Sequence, residues 1–232
     1  MFSIADNLQS VRVRIQKALD AVDRAPDSVQ LLAVSKTRSP DEVDALHQLG
    51  VRDFGENYLQ EGVDKIQALA DRAITWHFIG PIQSNKTRAI AEHFAWVHSL
   101  DRIKIAERLN EQRSPALPPL NVCLQVNIDH EPSKSGVAPE QLPQLAAQVA
   151  ALPRLQLRGL MCIPDPDQSE ASLRQAFARM RGLLEQLKAQ HPTLDTLSMG
   201  MSDDLEAAIA EGSTIVRVGT ALFGPRPARN NP

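Results

Sequence analysis

LLAVSKTRSPDEVDALHQLG, residues 31–50, reads as one strand, one loop and one helix. The apolar run Leu31–Val34 is short and stops at Ser35, Lys36 and Thr37 before the breaker Pro40, the pattern of a buried strand over 31–35. Ser39-Pro40-Asp41-Glu42 opens a helix well. The serine is an N-cap, the proline sits in a first turn that needs no N–H from it, and the acids suit the positive end of the helix dipole. Gly50 ends that helix. Side chains alternate along a strand, so Leu32, Val34 and Lys36 share a face. An amine held over two aliphatic neighbours has its charged form disfavoured, which frees the lone pair for Schiff-base chemistry. The simpler alternative is a lysine that snorkels to solvent at a strand end.

The same unit recurs along the chain. Further strands are predicted at 51–55, 75–80, 95–100, 120–128, 155–163, 193–200 and 213–220, with helices between them at 56–72, 83–92, 101–113, 139–152, 168–190 and 203–211. A short ALFG turn follows the eighth strand. Ahead of the first unit, Ile4, Leu8, Val11, Ile15, Leu19 and Val22 recur in steps of three and four, which predicts an amphipathic helix over 3–25 opened by a box of Ser3 and Asp6. Eight strands alternating with helices predict an α/β fold, a single (β/α)8 TIM barrel with an extra N-terminal helix. No linker divides the chain, so one domain is expected over 1–232, with a polar, proline-rich and mobile tail over about 225–232.

Composition narrows the function. A net charge of −3 and a pI near 6.1, without a local basic cluster, leave no footprint for nucleic acid. Cys123 and Cys162 are too few for a disulfide framework, lack metal-ligand spacing, and fall in apolar strands as buried thiols. No apolar run reaches the roughly 18 residues of a membrane span, and charges at Asp6, Arg12, Arg14 and Lys17 rule out a signal peptide. A cytoplasmic protein without membrane contact or metal is expected.

In such a barrel the loops after the strands form the active face. Strand one ends in Lys36, strand two in Gly55-Glu56-Asn57, strand three carries His77 and leads to Gly80, Ser84 and Asn85. Lys134, Ser135 and Gly136 follow strand five, and Met161 and Pro164 end strand six. Strand seven gives Ser198-Met199-Gly200-Met201-Ser202, and strand eight gives Arg217, Gly219 and Thr220. Polar residues and glycines gather at this end, while strand interiors read as aliphatic. Gly200, Ser202, Gly219 and Thr220 would suit a phosphate held by backbone N–H groups. The alternative is that Ser202 only caps helix 203–211 and Gly219 only makes a turn, and Asp203 and Asp204 count against an anion unless they face away. Arg217, inside an apolar strand, must be paired. A structural salt bridge and an arginine directed at a cofactor's ring nitrogen both satisfy that need.

AVSK, GENY, HFIGPIQSNK, KSG, SMGMSxD and VRVGTALFG occur here in that order, without departure at the matching positions. This series resembles the pyridoxal phosphate homeostasis proteins, from about residue 5 to 227, and with them the alanine racemase N-terminal-domain barrel. The resemblance implies that Lys36 forms a Schiff base with pyridoxal 5′-phosphate. It implies that Ser202, Gly219 and Thr220 hold the phosphate and that Arg217 faces the pyridine nitrogen. Asn57, His77, Ser84 and Met161 would line the ring, and Lys134 matches a secondary lysine. Standing alone, His77 would read as a core histidine.

Bound pyridoxal phosphate raises the question of a racemase or lyase. The cofactor is the better electron sink when its ring nitrogen is protonated, and an arginine, which only donates, keeps it unprotonated. Racemases of this fold also add a β domain whose partner subunit supplies a tyrosine. Here the chain stops about ten residues past the eighth strand, and its one tyrosine, Tyr58, belongs to GENY. No second base for a two-base mechanism is evident. The expectation is therefore a monomeric, non-catalytic protein that buffers and supplies the cofactor, with pyridoxal 5′-phosphate-dependent apo-enzymes as partners and indirect effects on amino-acid metabolism. A weak pyridoxal phosphate-dependent amino-acid racemase or lyase is the alternative, and a phosphate-binding barrel enzyme without pyridoxal is a third.

Overall fold

Ser3 opens the first helix, α1 (Ile4–Asp20): its hydroxyl accepts the Asp6 N–H while Asp6 accepts the Ser3 N–H. The structure, a computed structural model, describes residues 3–129, 131, 134–165 and 167–225. The expected tail therefore lies, apart from Pro225, outside the described residues. The first helix ends five residues short of its expected end. Val22, which extends the apolar period, is exposed; Asp23 takes a left-handed φ of +54°, and the Arg24 amide turns back to Leu19 O at 3.1 Å.

Eight parallel strands follow: β1 (Gln30–Val34), β2 (Asp53–Glu56), β3 (Thr75–Phe78), β4 (Trp96–Leu100), β5 (Leu120–Gln125), β6 (Leu155–Met161), β7 (Thr196–Ser198) and β8 (Ile215–Val218). Each pairs with the next, and β8 pairs back onto β1 with Leu32 opposite Arg217, so the sheet closes into a barrel in sequence order. Between them run α2 (Pro40–Gln48), α3 (Leu59–Ala68), α4 (Thr87–His93), α5 (Ile103–Gln112), α6 (Leu142–Ala150), α7 (Glu170–Lys188) and α8 (Leu205–Ala210). The expected ALFG turn is a short helix, α9 (Thr220–Phe223). Every strand falls short of its expected bounds at one end or both. Two expected helices open with a 3-10 turn, at Ser84–Lys86 and Pro139–Gln141.

α1 packs beside the seam where β8 meets β1. Leu8, Val11, Ile15 and Leu19 form its buried face, Asn7 donates to Leu222 O of α9, and Arg14 makes a two-pronged bond to Glu206 of α8 at 2.7 and 2.8 Å. The main core lies between strands and helices, with Phe54, Phe78, Phe94, Ile90 and Phe177 among its large members. Inside the barrel the apolar content is a small cluster of Leu32, Ile79 and Ile215, with Val34 against it. The expectation of aliphatic strand interiors thus holds for the helix-facing side only. Within the barrel, His77, His98, Ser198 and Arg217 are buried and hydrogen-bonded to one another. Among the described residues no helix is long and apolar enough to cross a membrane.

Candidate functional site

The Ser35 amide still donates to Gly55 O at 3.0 Å, so Lys36 is the first residue beyond the β1–β2 ladder. It is half-buried, in a turn rather than on the strand. Thr37 after it has φ +65°, a conformation that costs a β-branched residue on the order of 1–3 kcal/mol and persists only when its surroundings impose it. The surroundings here are Lys65 of α3, Glu56 of β2 and Glu61 of α3. Lys65 Nζ donates to Ser35 O at 2.6 Å, to Glu56 Oε1 at 2.8 Å and to Glu61 Oε1 at 2.6 Å, which uses all three ammonium donors. Ser35 Oγ donates to the same Glu56 oxygen at 2.6 Å. The Thr37 amide donates to Glu61 Oε1. The cluster thus grips the chain on both sides of Lys36. Lys65 and Glu56 are buried, and burial raises the Glu56 pKa despite the opposing pull of Lys65 and Ser35.

Around Lys36 the strand ends supply the rim. Gly80 lets the loops after β2 and β3 meet: a Cβ there would fall 2.1 Å from Asn57 O. Asn57 Oδ1 and Thr37 Oγ1 are buried without a hydrogen-bond partner among the described residues, both in the turns that follow strands at this end of the barrel. Ser84 begins the 3-10 turn before α4, its carbonyl accepting from Thr87 Oγ1 and Arg108 Nε, both at 3.0 Å. Met161 ends β6, fully buried. Lys134, in the loop after β5, has Nζ 3.2 Å from Glu131 Oε2 and 3.7 Å from Asp129 Oδ2.

On the other side of β1, Gly219 abuts Val34. A Cβ built on Gly219 would meet Val34 O at 3.4 Å and Val34 Cβ at 3.5 Å, ordinary contacts, so chain packing does not require glycine there. Thr220 is exposed as the first residue of α9. Gly200 is different: with φ +95° and a Cβ position 2.6 Å from Ala208 Cβ, only glycine fits. Ser202 lies in the turn before α8 but does not cap it. The cap position is Asp204, whose carboxylate is turned inward to the Met201 amide, while Asp203 is exposed.

Arg217 has no carboxylate partner among the described residues. Its guanidinium donates through Nη1 to Ser198 O at 2.6 Å and Ser198 Oγ at 2.9 Å, and through Nη2 to Cys162 O at 2.9 Å. Three of its five N–H donors are used and two remain. Of the two readings of Arg217, the structural salt bridge is therefore not found among the described residues, and carbonyl and hydroxyl acceptors hold the guanidinium instead. His77, expected at the rim, lies in the barrel interior with no exposed surface. Its ring nitrogens are bonded to His98 at 2.9 Å and Asp53 at 3.1 Å, and its ring stacks on Trp96 with centroids 5.4 Å apart. Burial lowers the pKa of His77, and lowers that of His98 further, with the His77 and Arg217 charges adding to the effect on His98. Sequence reading missed Lys65, Glu61, His98 and Asp53. The traces they leave are faint: Lys65 stands four residues after Glu61, and His98 two after Trp96.

A closed parallel barrel with a gripped lysine at the mouth of β1 and a buried arginine on neighbouring β8 defines a protein of the alanine racemase N-terminal-domain type. The model of the family described as "alanine racemase, N-terminal domain" matches residues 7–227. The pyridoxal phosphate homeostasis protein of Pseudomonas aeruginosa is 62% identical over 226 residues, covering 97% of each chain. That of Escherichia coli K12 is 52% identical over 229 residues, covering 97% of this chain and 98% of its own. The structure of PipY of Synechococcus elongatus with pyridoxal phosphate bound has a TM-score of 0.84 at 39% identity, covering 96% of this chain and 100% of that one. An alanine racemase of Clostridium difficile 630 has a TM-score of 0.77 at 14% identity over 97% of this chain and 58% of its own, a likeness of fold alone. The chain belongs to the pyridoxal phosphate homeostasis protein family.

Proposed function

We propose that this chain binds pyridoxal 5′-phosphate covalently at Lys36 and acts in its homeostasis, buffering and supplying the cofactor without catalysing turnover of its own. The observation that carries this is the Lys65–Glu56–Glu61 cluster, which spends two buried charges to hold the backbone on both sides of a single lysine at the barrel mouth. Lys36 would hold pyridoxal 5′-phosphate through its amine, since the cofactor would supply an aldehyde able to condense with a primary amine with loss of water. The residues present fit the group. Among the described residues Asn57 Oδ1 and the Thr37 hydroxyl have no partner and Arg217 keeps two unused donors, and Gly219 leaves room that chain packing does not demand. In this reading Ser202, Gly219 and Thr220 hold the phosphate, Arg217 faces the pyridine nitrogen, and Asn57, Ser84 and Met161 line the ring. His77 lies below them.

Two features support a carrier over an enzyme. A donor-only arginine at the pyridine nitrogen denies that nitrogen a proton and weakens the electron sink. Tyr58 is half-exposed at the start of α3, with no hydrogen bond to hold its hydroxyl at a reacting atom among the described residues. The relatives' naming as homeostasis proteins agrees. We take the protein to be a monomer whose partners are apo-enzymes that need the cofactor. The experiment is transfer: loaded protein is mixed with such an apo-enzyme in the presence of a trap for free cofactor. Activation despite the trap supports direct supply, and activation abolished by the trap supports buffering alone. Turnover of an amino acid by the loaded protein at about 1 s⁻¹ or faster would overturn the non-catalytic reading.

A further inference from the structure

Below the rim, a line of polar side chains crosses the barrel interior. Arg217 Nη1 lies 2.9 Å from Ser198 Oγ, which lies 2.7 Å from His98 Nδ1. His98 Nε2 is 2.9 Å from His77 Nδ1, and His77 Nε2 is 3.1 Å from Asp53 Oδ1. Asp53 begins β2 at the opposite, N-terminal mouth, where it borders a groove with Arg12, Gln30 and Arg52. The Asp53 end sets the direction of every bond in the line. A guanidinium only donates and a carboxylate only accepts, while a neutral imidazole has one donor and one acceptor nitrogen. Asp53 can only accept, so with both rings neutral His77 donates from Nε2 and accepts at Nδ1 from His98 Nε2. The bare His98 Nδ1 then takes the Ser198 hydrogen, and the Ser198 oxygen accepts from Arg217. Both rings are then in the Nε2–H tautomer, and each imidazole nitrogen and the Ser198 hydroxyl has a partner.

We infer that Ser198, His98, His77 and Asp53 are positioning residues for Arg217, a one-way chain of hydrogen bonds that fixes which of its donors face the cofactor's ring. This rests on the reading that Arg217 meets the pyridine nitrogen. Buried polar groups are costly unless all are satisfied, and a satisfied network specifies a single arrangement. An isolated guanidinium held by two carbonyls could pivot about them. The Ser198 hydroxyl, itself held from below, ties it in the plane. The lowered pKa values of both histidines fit the neutral rings that this direction needs.

The first test is ¹⁵N NMR of histidine-labelled protein without cofactor. Both His77 and His98 are expected with Nε2 protonated and Nδ1 bare. Protonation at Nδ1 of either would overturn the chain whether or not any variant folds. The second test compares Arg217→Met, Ser198→Ala and Ser198→Thr for the absorption band of bound pyridoxal 5′-phosphate and for its retention through dialysis. Ser198→Ala is expected to shift the band in the direction of Arg217→Met and to speed cofactor loss about tenfold, with Ser198→Thr, which keeps the hydroxyl, returning most of both. Should Arg217→Met leave band and retention untouched, the reading of Arg217 fails and this role falls with it. Should Arg217→Met act while Ser198→Ala lowers only the melting temperature, the reading of Arg217 stands and the chain is merely structural.

Discussion

Replacing Lys65 by methionine keeps the unbranched apolar stem, one atom shorter, and removes three donors at once. Ser35 O, Glu56 Oε1 and Glu61 Oε1 each lose a bond of 2.6–2.8 Å. Glu61 is partly exposed and can turn to water, but Glu56 is fully buried, with its second oxygen already unpartnered. Stranding a buried carboxylate costs about 3–5 kcal/mol, against a total stability of about 5–15 kcal/mol for an ordinary domain. The loss depends on pH with a definite sign. Burial already places the folded-state pKa of Glu56 above its ordinary value of 4.5, and losing Lys65 raises it further. Between the unfolded and folded values the folded protein binds more protons, so stability falls as pH rises through that window, by up to about 1.4 kcal/mol per pH unit. Urea unfolding of the cofactor-free protein at pH 7.5 and pH 5, followed by circular dichroism, measures this. The deficit of Lys65→Met should be about 3–5 kcal/mol at pH 7.5 and clearly smaller at pH 5, where Glu56 can be neutral. A deficit below about 1 kcal/mol, or one equal at the two pH values, would refute the argument that the cluster is a buried ionic grip.

Three further outcomes follow from the geometry. Ser202→Ala combined with Thr220→Val should release pyridoxal 5′-phosphate about tenfold faster in dialysis with an unchanged far-ultraviolet spectrum, since both hydroxyls stand on the rim. Gly200→Ala should cost about 2–4 kcal/mol in denaturant, because the new methyl would sit 2.6 Å from Ala208 Cβ at a φ of +95°. Cys123 and Cys162 should resist a thiol reagent at pH 8 until the protein is unfolded. Burial pushes both thiols up to about 12, which leaves almost no thiolate to react.

Periodicity and punctuation made the barrel legible, because each β/α unit announces itself locally: Leu31–Val34 runs apolar, Pro40 breaks, and Gly50 stops the helix. The rim was legible for the same reason, since strand ends fall where runs end. The interior was not. Parallel strands are buried on both faces, so the alternation that would separate helix-facing from barrel-facing residues is absent. His77 and His98 are 21 residues apart and share no motif; only the register of β3 on β4, which sets His77 opposite Trp96, brings them to 2.9 Å. Lys65 was hidden for a second reason. On a helix that reads as amphipathic it looks like a surface lysine four residues from Glu61, and only the packing of α3 against β2 buries Lys65 beside Glu56. Ser202 shows the opposite case, a residue that fits the cap pattern while Asp204 holds the position.

The central claim is that one amine, fixed by its neighbours' backbone, captures the cofactor. Incubating the protein with pyridoxal 5′-phosphate, reducing with borohydride and mapping the modified peptide by mass spectrometry tests it most directly. The account predicts a single pyridoxyl group, on Lys36. A label on Lys134 or spread over surface lysines, with Lys36 unmodified, would contradict it.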